Sequence, residues 1–124
     1  MNKAQAIHNF WSSFNLYAID EQSAYDTRKD LPSKYISYEL QTSNMGDSVA
    51  LTASLWYRSN SWEEITQKAD EIAEYIGYGG RVLPIDNGFI WVKLGSPFAQ
   101  RLDAEKDSFR RIVLNIMVDF LSAT

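Results

Sequence analysis

Two stretches of the chain carry apolar residues at the spacing of an α-helix. In residues 3–14 the apolar stripe, which Phe10 widens, consists of Ala4, Ile7, Trp11 and Phe14. A second stripe with the same spacing consists of Trp62, Ile65, Ala69, Ile72, Ala73 and Ile76. Ser61 followed by Glu64 indicates a capping box at the start of this second helix, and the glycines from Gly77 onward indicate its end. The pattern therefore predicts two main helices.

Alternation of apolar and polar residues predicts strands elsewhere. The alternating segments are residues 35–40, 49–57, 81–85, 89–94 and 112–120, with a shorter extended piece at 16–19. A turn cluster at residues 43–47 makes the first two strands an antiparallel hairpin. Asn87-Gly88 predicts a tight hairpin turn in which both residues have positive φ. The segment 95–101 reads as a loop, and residues 21–34 as an exposed connection ending near Pro32.

These elements define the expected fold. We expect an α+β domain over residues 1–124, with a mostly antiparallel (mixed) β-sheet of four to five strands and two main helices packed on one face. No internal repeat or Pro/Gly-rich linker divides the chain. A length of 124 residues is sufficient for a single core.

Composition narrows the classes of function. The formal net charge is −4 and the pI about 4.9, whereas a nucleic-acid-binding protein needs a basic face, so we expect no specific nucleic-acid binding. Cysteine is absent, which excludes disulfide and thiolate chemistry. The chain has neither an apolar run of signal-peptide length at its start nor 18 consecutive apolar residues, so we expect a cytoplasmic location and no membrane partner.

No catalytic constellation stands out. His8 is the single histidine and lies on a predicted apolar helix, where a packing or surface role is expected. Gly77-Tyr78-Gly79-Gly80 follows a helix, whereas phosphate-binding loops precede one. Residues 103–107 resemble the start of a calcium loop, but the glycine of the sharp turn is missing and Leu114 stands at the twelfth position. Two carboxylates could still meet in space, although the sequence singles out no pair. We expect no enzyme activity, no cofactor and no metal.

Aromatic residues and arginines around residue 57 favour an interaction surface. Tyr57 and Trp62 are expected in the core. Trp56 and Arg58 fall on the opposite strand face, and both residue types are enriched at interfaces, so we predict that they contact a partner.

The second helix is strongly acidic, with one lysine, Lys68, against Glu63, Glu64, Asp70, Glu71 and Glu74. A solvated helix face explains this composition. The functional alternative is an acidic wall that repels DNA passing through a ring.

Most of the chain carries a resemblance to a known family. Its sharpest elements are Trp62-Glu63-Glu64-Ile65, Asp86-Asn87-Gly88-Phe89-Ile90-Trp91, Pro97-Phe98-Ala99-Gln100 and Arg110-Arg111-Ile112. In these the sequence resembles small phage tail-terminator proteins of tailed phages and prophages of Gram-positive bacteria, from residue 31 to the C-terminus. The resemblance implies a structural protein of the virion tail or neck, assembled in the host cytoplasm. It implies a homo-oligomeric ring, commonly hexameric, that caps the tail tube and prepares the tail for head joining.

The implied partners are further copies of the chain, the tail-tube protein and head–tail connector proteins. A ring needs heterologous contacts between two different surfaces. Candidate interface residues are Pro97, Phe98, Gln100 and Arg101, together with Arg110 and Arg111. The two adjacent arginines either bridge to acids of a neighbour or cap the start of the last strand at the surface. A head–tail connector or head-completion protein of similar fold is the alternative interpretation.

Overall fold

The computed structural model describes residues 1–23, 31–42, 47–102 and 108–122. Its elements, in chain order, are α1 (Lys3–Ser12), β1 (Tyr17–Asp20), β2 (Lys34–Tyr38), β3 (Ser48–Arg58), α2 (Glu63–Ile76), β4 (Arg81–Ile85), β5 (Gly88–Leu102) and β6 (Phe109–Ser122). Residues 21–23 are also helical. Parts of the predicted connection at 21–34 and of the turn cluster at 43–47, and the whole calcium-loop-like segment 103–107, lie outside the described residues.

The strands form one mixed sheet in the order β1-β2-β3-β6-β5-β4. Only the β1–β2 pair is parallel in the described sheet, and the other four pairs are antiparallel. The α+β class and both predicted hairpins are confirmed. The expected count of four to five strands is wrong, because the short extended piece at residues 17–20 pairs with β2 and becomes a sixth strand.

One face of the sheet lies in the core with α1 and α2, and within the described residues neither of these two helices packs on the other face. Alternate residues of β3 and β6 are buried with the apolar stripes of both helices in a single cluster, as the period-two pattern predicted. The largest fully buried side chains of this cluster are Trp11, Phe120, Ile36, Leu55, Ile65, Ile72, Ile76, Ile90 and Leu114. The other face is half-exposed along β3 and β6. We call this second side of the sheet the open face.

Helix α1 begins at Lys3, as predicted, whereas the cap of α2 differs from the prediction. The capping box belongs to α1, where the Asn2 side chain accepts a hydrogen bond from the Gln5 amide and the Gln5 side chain accepts one from the Asn2 amide. The capping box predicted at Ser61 and Glu64 is wrong, because Trp62 occupies the N-cap position and makes no side-chain cap bond. Ser61 Oγ instead accepts from the Glu63 amide at 3.1 Å. Gly77, with φ of 77°, ends α2 as expected.

The last two hairpin strands also differ from the prediction in detail. Asp86 and Asn87 connect β4 to β5, and only Asn87 of the predicted turn pair has positive φ, so the expected turn with Gly88 also at positive φ is wrong. Residues 95–101 are not a loop, because β5 continues through them to Leu102. The pairing with β6 is interrupted between Leu94 and Ala99 and then resumes, so that residues 95–98 lie opposite Asn115 alone in an extended, bulge-like irregularity.

Candidate interaction surface

Four arginines from three neighbouring strands lie at the same end of the sheet. Arg58 of β3 pairs with Phe109 of β6, and Arg110 and Arg111 follow on β6. Arg101 of β5 pairs with Ile112, one position further along β6. All four residues were predicted as interface residues, but their clustering depends on β6 lying between β3 and β5. The chain has a net charge of −4, so this end of the sheet is a local exception.

The adjacent arginines Arg110 and Arg111 project to opposite faces, because successive residues of a strand alternate sides. Arg111 lies on the open face with Trp56, its pairing partner on β3. Arg110 lies on the helix-covered face with Tyr57 and Ile112. The two arginines therefore do not form a single binding fork, although the sequence presents them as a pair.

On the open face, Trp56 is held between an aromatic ring and a guanidinium. Its ring stacks on Tyr35 with centroids 6.1 Å apart and planes tilted by 14°. The Arg111 guanidinium lies 4.6 Å from the Trp56 ring centroid, within the range of a cation–π contact. Trp56 Nε1 donates to Ser37 Oγ, and Arg111 donates twice to Ser54 Oγ, at 3.1 and 3.2 Å. These bonds hold both side chains in place on the open face.

Arg58 extends this arrangement by one row, with its guanidinium 5.0 Å from the Phe109 ring centroid. We call Tyr35, Trp56, Arg58, Phe109 and Arg111 the arginine–aromatic patch. Burial raises the pKa of the Tyr35 hydroxyl, and the positive charge of Arg111 opposes that shift. Within the described part of the chain, neither Arg58 nor Arg111 has a carboxylate partner. The sequence predicted Trp56 and Arg58 here, but Tyr35 could be added only once the β2–β3 register was known.

On the other face, Trp62 lies beside two arginines. The guanidinium carbons of Arg101 and Arg110 are 4.8 and 5.4 Å from its ring. Arg101 also donates to Thr66 Oγ1, and Arg110 donates to the carbonyl oxygens of Asn60 and Phe109. These contacts join the start of α2 to the ends of β5 and β6. Capping of the last strand and bridging to a neighbour, the two alternatives that the sequence left open for Arg110 and Arg111, both stay predictions.

The remaining predicted residues of β5 have mixed environments. Phe98 packs against the core, whereas Pro97 and Gln100 are exposed. Asn115 Nδ2 donates to the Pro97 carbonyl at 3.0 Å and to Gln100 Oε1 at 3.2 Å, and these bonds hold the bulged segment against β6. An interface role for these three residues stays a prediction.

The predicted acidic face of α2 is exposed, but its members differ in their partners. Glu64 pairs with Lys34 at 2.5 Å and Glu71 with Lys68 at 3.2 Å. Glu63, Asp70 and Glu74 have no ion pair within the described residues, and their spacing places them along one line of the helix. We call these three residues the acidic stripe.

The surroundings of Tyr57 and Asp119 shift the pKa values of these two side chains. Burial raises the pKa of Tyr57 to about 12, with the charges of Glu64 and Glu71 adding to the shift. At the far end of the open face, hydrogen bonds from Lys93 and Ser48 lower the pKa of Asp119. The Lys93 Nζ–Asp119 Oδ2 distance is 2.7 Å. Tyr57 is buried, as the sequence predicted.

His8, the single histidine of the chain, hydrogen-bonds to two hydroxyl groups. Its Nδ1 is 2.7 Å from the Tyr38 hydroxyl and its Nε2 is 3.2 Å from Ser12 Oγ. The i, i+4 spacing of His8 and Ser12 was visible in the sequence, whereas Tyr38 comes from β2. Hydroxyl groups occupy both ring nitrogens, whereas the base of a Ser–His–Asp triad has a carboxylate on its second nitrogen. This arrangement supports a packing role at the surface of α1.

The described segments show neither a metal-ligand cluster nor a membrane-spanning helix. In the segments that the structure describes, no three His, Cys, Asp or Glu side chains converge as a metal site requires. Neither α1 nor α2, nor any other helix within those segments, is long and apolar enough to span a bilayer.

Comparison with known proteins gives a structural match. The sequence matches no protein-family profile, and no curated protein sequence is significantly similar to it. The fold is similar to that of a chain in a solved structure described as the virion of a native gene transfer agent (GTA) particle. The TM-score is 0.65 at 13% sequence identity, and the match covers 94% of this chain and 92% of the other. The whole domain, rather than one motif, therefore has the architecture of a chain found in that virion.

Proposed function

We propose that this protein is a non-enzymatic structural component of a phage-type virion, and that it acts as a tail terminator. The observation that carries the proposal is the fold shared with a chain of the gene transfer agent virion over nearly the full length of both chains. The resemblance of four sequence segments to tail-terminator proteins supports the finer assignment to the tail.

In this role the protein assembles as a ring, which we expect to be hexameric, on the end of the tail tube. The ring terminates tube polymerisation and presents a surface to head–tail connector proteins. A closed ring needs two different, complementary surfaces on each subunit. The domain supplies an open sheet face on one side and the outer face of α2 on the other, and the two differ in charge and composition.

A reconstitution experiment tests the capping activity. Tail-tube protein from the same phage or prophage genome is allowed to polymerise with and without the purified chain, and tube lengths are measured by electron microscopy. We expect shorter tubes with added density at one end. Tubes of unchanged length with bare ends would contradict the proposal.

A further inference from the structure

The arginine–aromatic patch has the composition of a protein interface. It combines three aromatic rings with two arginines on one face of the sheet, and aromatic residues and arginine are among the types most enriched where interface energy is concentrated. The Trp56 and Arg111 side chains are already fixed by hydrogen bonds to Ser37 and Ser54. Binding there would cost little side-chain entropy, because the groups that make the contact are held in place beforehand.

The two arginines of the patch favour a negatively charged partner. Arg58 and Arg111 lie on adjacent strands with no carboxylate partner within the described residues. Asp119 is on the same face but lies eight positions along β6 from Arg111, where it is engaged by Lys93. A partner that brings carboxylates to Arg58 and Arg111 would therefore meet no competing carboxylate at that end of the patch, within the residues that the structure describes.

The same chain presents such carboxylates on its opposite side. Glu63, Asp70 and Glu74 form the acidic stripe, about 16 Å long at 1.5 Å per residue. The neighbouring acids Glu64 and Glu71 are paired with lysines of the same chain, whereas the stripe is not, within the described residues. The two surfaces are thus complementary in charge.

Their placement suits a repeated head-to-tail contact. Helix α2 packs on the core face of the sheet, so its outer stripe and the open face lie on opposite sides of the same subunit. Two such surfaces on one subunit cannot meet within that subunit, but they can meet between successive copies. A contact of this kind is heterologous and generates a ring when the rotation between subunits closes.

We propose that the arginine–aromatic patch of one copy binds the acidic stripe of α2 of the next copy. This inference rests on the proposed function, because it names the subunit contact that closes the ring. It also competes with the prediction of a DNA-repelling wall, since carboxylates buried between subunits cannot line a central channel. Single-stranded nucleic acid is the other anionic partner that stacked aromatics and arginines would accept, and the overall charge of −4 disfavours it.

Charge reversal with complementation tests the contact. One variant carries Arg58→Glu and Arg111→Glu, and the other carries Asp70→Lys and Glu74→Lys. Oligomer mass in solution, up to millimolar concentration, is measured by native mass spectrometry and sedimentation velocity. The same measurements are made on the chain bound to tail tubes. We expect each variant alone to associate at least about tenfold more weakly than wild type, because like charges then face each other across the contact. The exposed Glu21→Lys substitution, outside both surfaces, is the control and should assemble normally.

Mixing the two variants is the decisive step. Each junction in a mixed assembly again joins opposite charges, so we expect oligomers of alternating subunits, and their recovery shows that both variants are folded. If the wild type forms a ring and each charge-reversal variant forms it equally well, this contact is wrong and the proposed function still stands. A wild-type chain that stays monomeric in solution and on tubes would overturn both. If the arginine variant lost only the binding of a single-stranded oligonucleotide, the patch would serve nucleic acid and the proposal would be wrong.

Discussion

Gly95 lies where the pairing of β5 with β6 is interrupted, and its lack of a side chain is required there. A Cβ at this position would be 2.6 Å from the Asn115 carbonyl oxygen and 2.8 Å from its carbonyl carbon. Both are backbone atoms of the central strand, so relief requires movement of the sheet rather than of a flexible side chain. The glycine permits β6 to approach β5 closely at the bulge.

We therefore expect Gly95→Ala to lower the free energy of unfolding by about 1–3 kcal/mol, the usual cost of overpacking. The matched control is Gly79→Ala, because a Cβ at Gly79 would meet nothing within 4 Å and its φ is not positive. Urea denaturation of the two variants provides the comparison. Equal stability of both variants would contradict the close approach at Gly95.

Ionisation of Tyr57 is expected to lower the free energy of unfolding at alkaline pH. The pKa is raised to about 12 in the folded state, against about 10 in an unfolded chain. The neutral hydroxyl is favoured in the fold, so this contribution is fully present below pH 10 and is lost as the pH rises towards 12. Tyr57→Phe removes the titrating group. Between pH 10 and 12 we expect the free energy of unfolding of the wild type to fall by up to about 3 kcal/mol more than that of the variant.

The measurement is the free energy of unfolding as a function of pH between 9 and 12, from denaturant titrations. Tyr17→Phe, which removes a hydroxyl from a side chain that is 54% exposed, is the matched control. A Tyr57→Phe protein that loses stability as steeply as wild type would show that the hydroxyl is not held neutral by its surroundings.

The sequence predicts which side of the sheet a residue lies on wherever this depends only on the alternation along a strand. The alternation placed Tyr57 in the core and Trp56 on the opposite face, and both placements are confirmed. The stacking of Trp56 on Tyr35 and the contact with Arg111 were not predictable, because they depend on which strands become neighbours and in which register.

At the scale of elements, the helix caps show that neighbouring residues can compete for the N-cap position. Ser61 and Glu64 have the sequence of a capping box, yet Trp62 takes the N-cap position of α2, with its ring beside Arg101 and Arg110. In α1 the reciprocal bonds come from Asn2 and Gln5, a less conspicuous pair.

For this cap we expect Asn2→Ala to cost about 1 kcal/mol, because the Gln5 amide loses its acceptor at the start of α1. The cost is measured by urea denaturation. Gln67→Ala, at an exposed position within α2, is the control and should change stability by less than about 0.5 kcal/mol. An Asn2→Ala variant as stable as that control would contradict the capping role.

Strand β5 was the element least accessible to sequence reasoning. Gly95, Ser96 and Pro97 have the composition of a turn, and the segment was predicted as a loop. The strand continues because the bulge absorbs the irregular residues and because Asn115 of β6 satisfies the Pro97 carbonyl. Turn propensity is a local signal, and here pairing with the central strand overrides it.

At the scale of the whole molecule, the α+β class followed from the periodicities, but the strand order did not. The last strand of the described sheet in sequence, β6, lies between β3 and β5 and pairs with both along most of its length. Alternation shows which face of a strand is buried and carries no information about its neighbours. The arginine cluster exists only because of this order, so the sequence predicted its members but not their convergence.

The central claim is that this domain ends tail growth in a phage-type virion, and deletion of its gene tests that claim most directly. Particles from the phage or prophage that carries the gene would be imaged by electron microscopy after the deletion. We predict abnormally long tails without attached heads, because nothing then terminates tube polymerisation. Tails of normal length beside unattached filled heads would instead assign the protein to the head–tail connector. Ordinary infectious particles would contradict a virion role altogether.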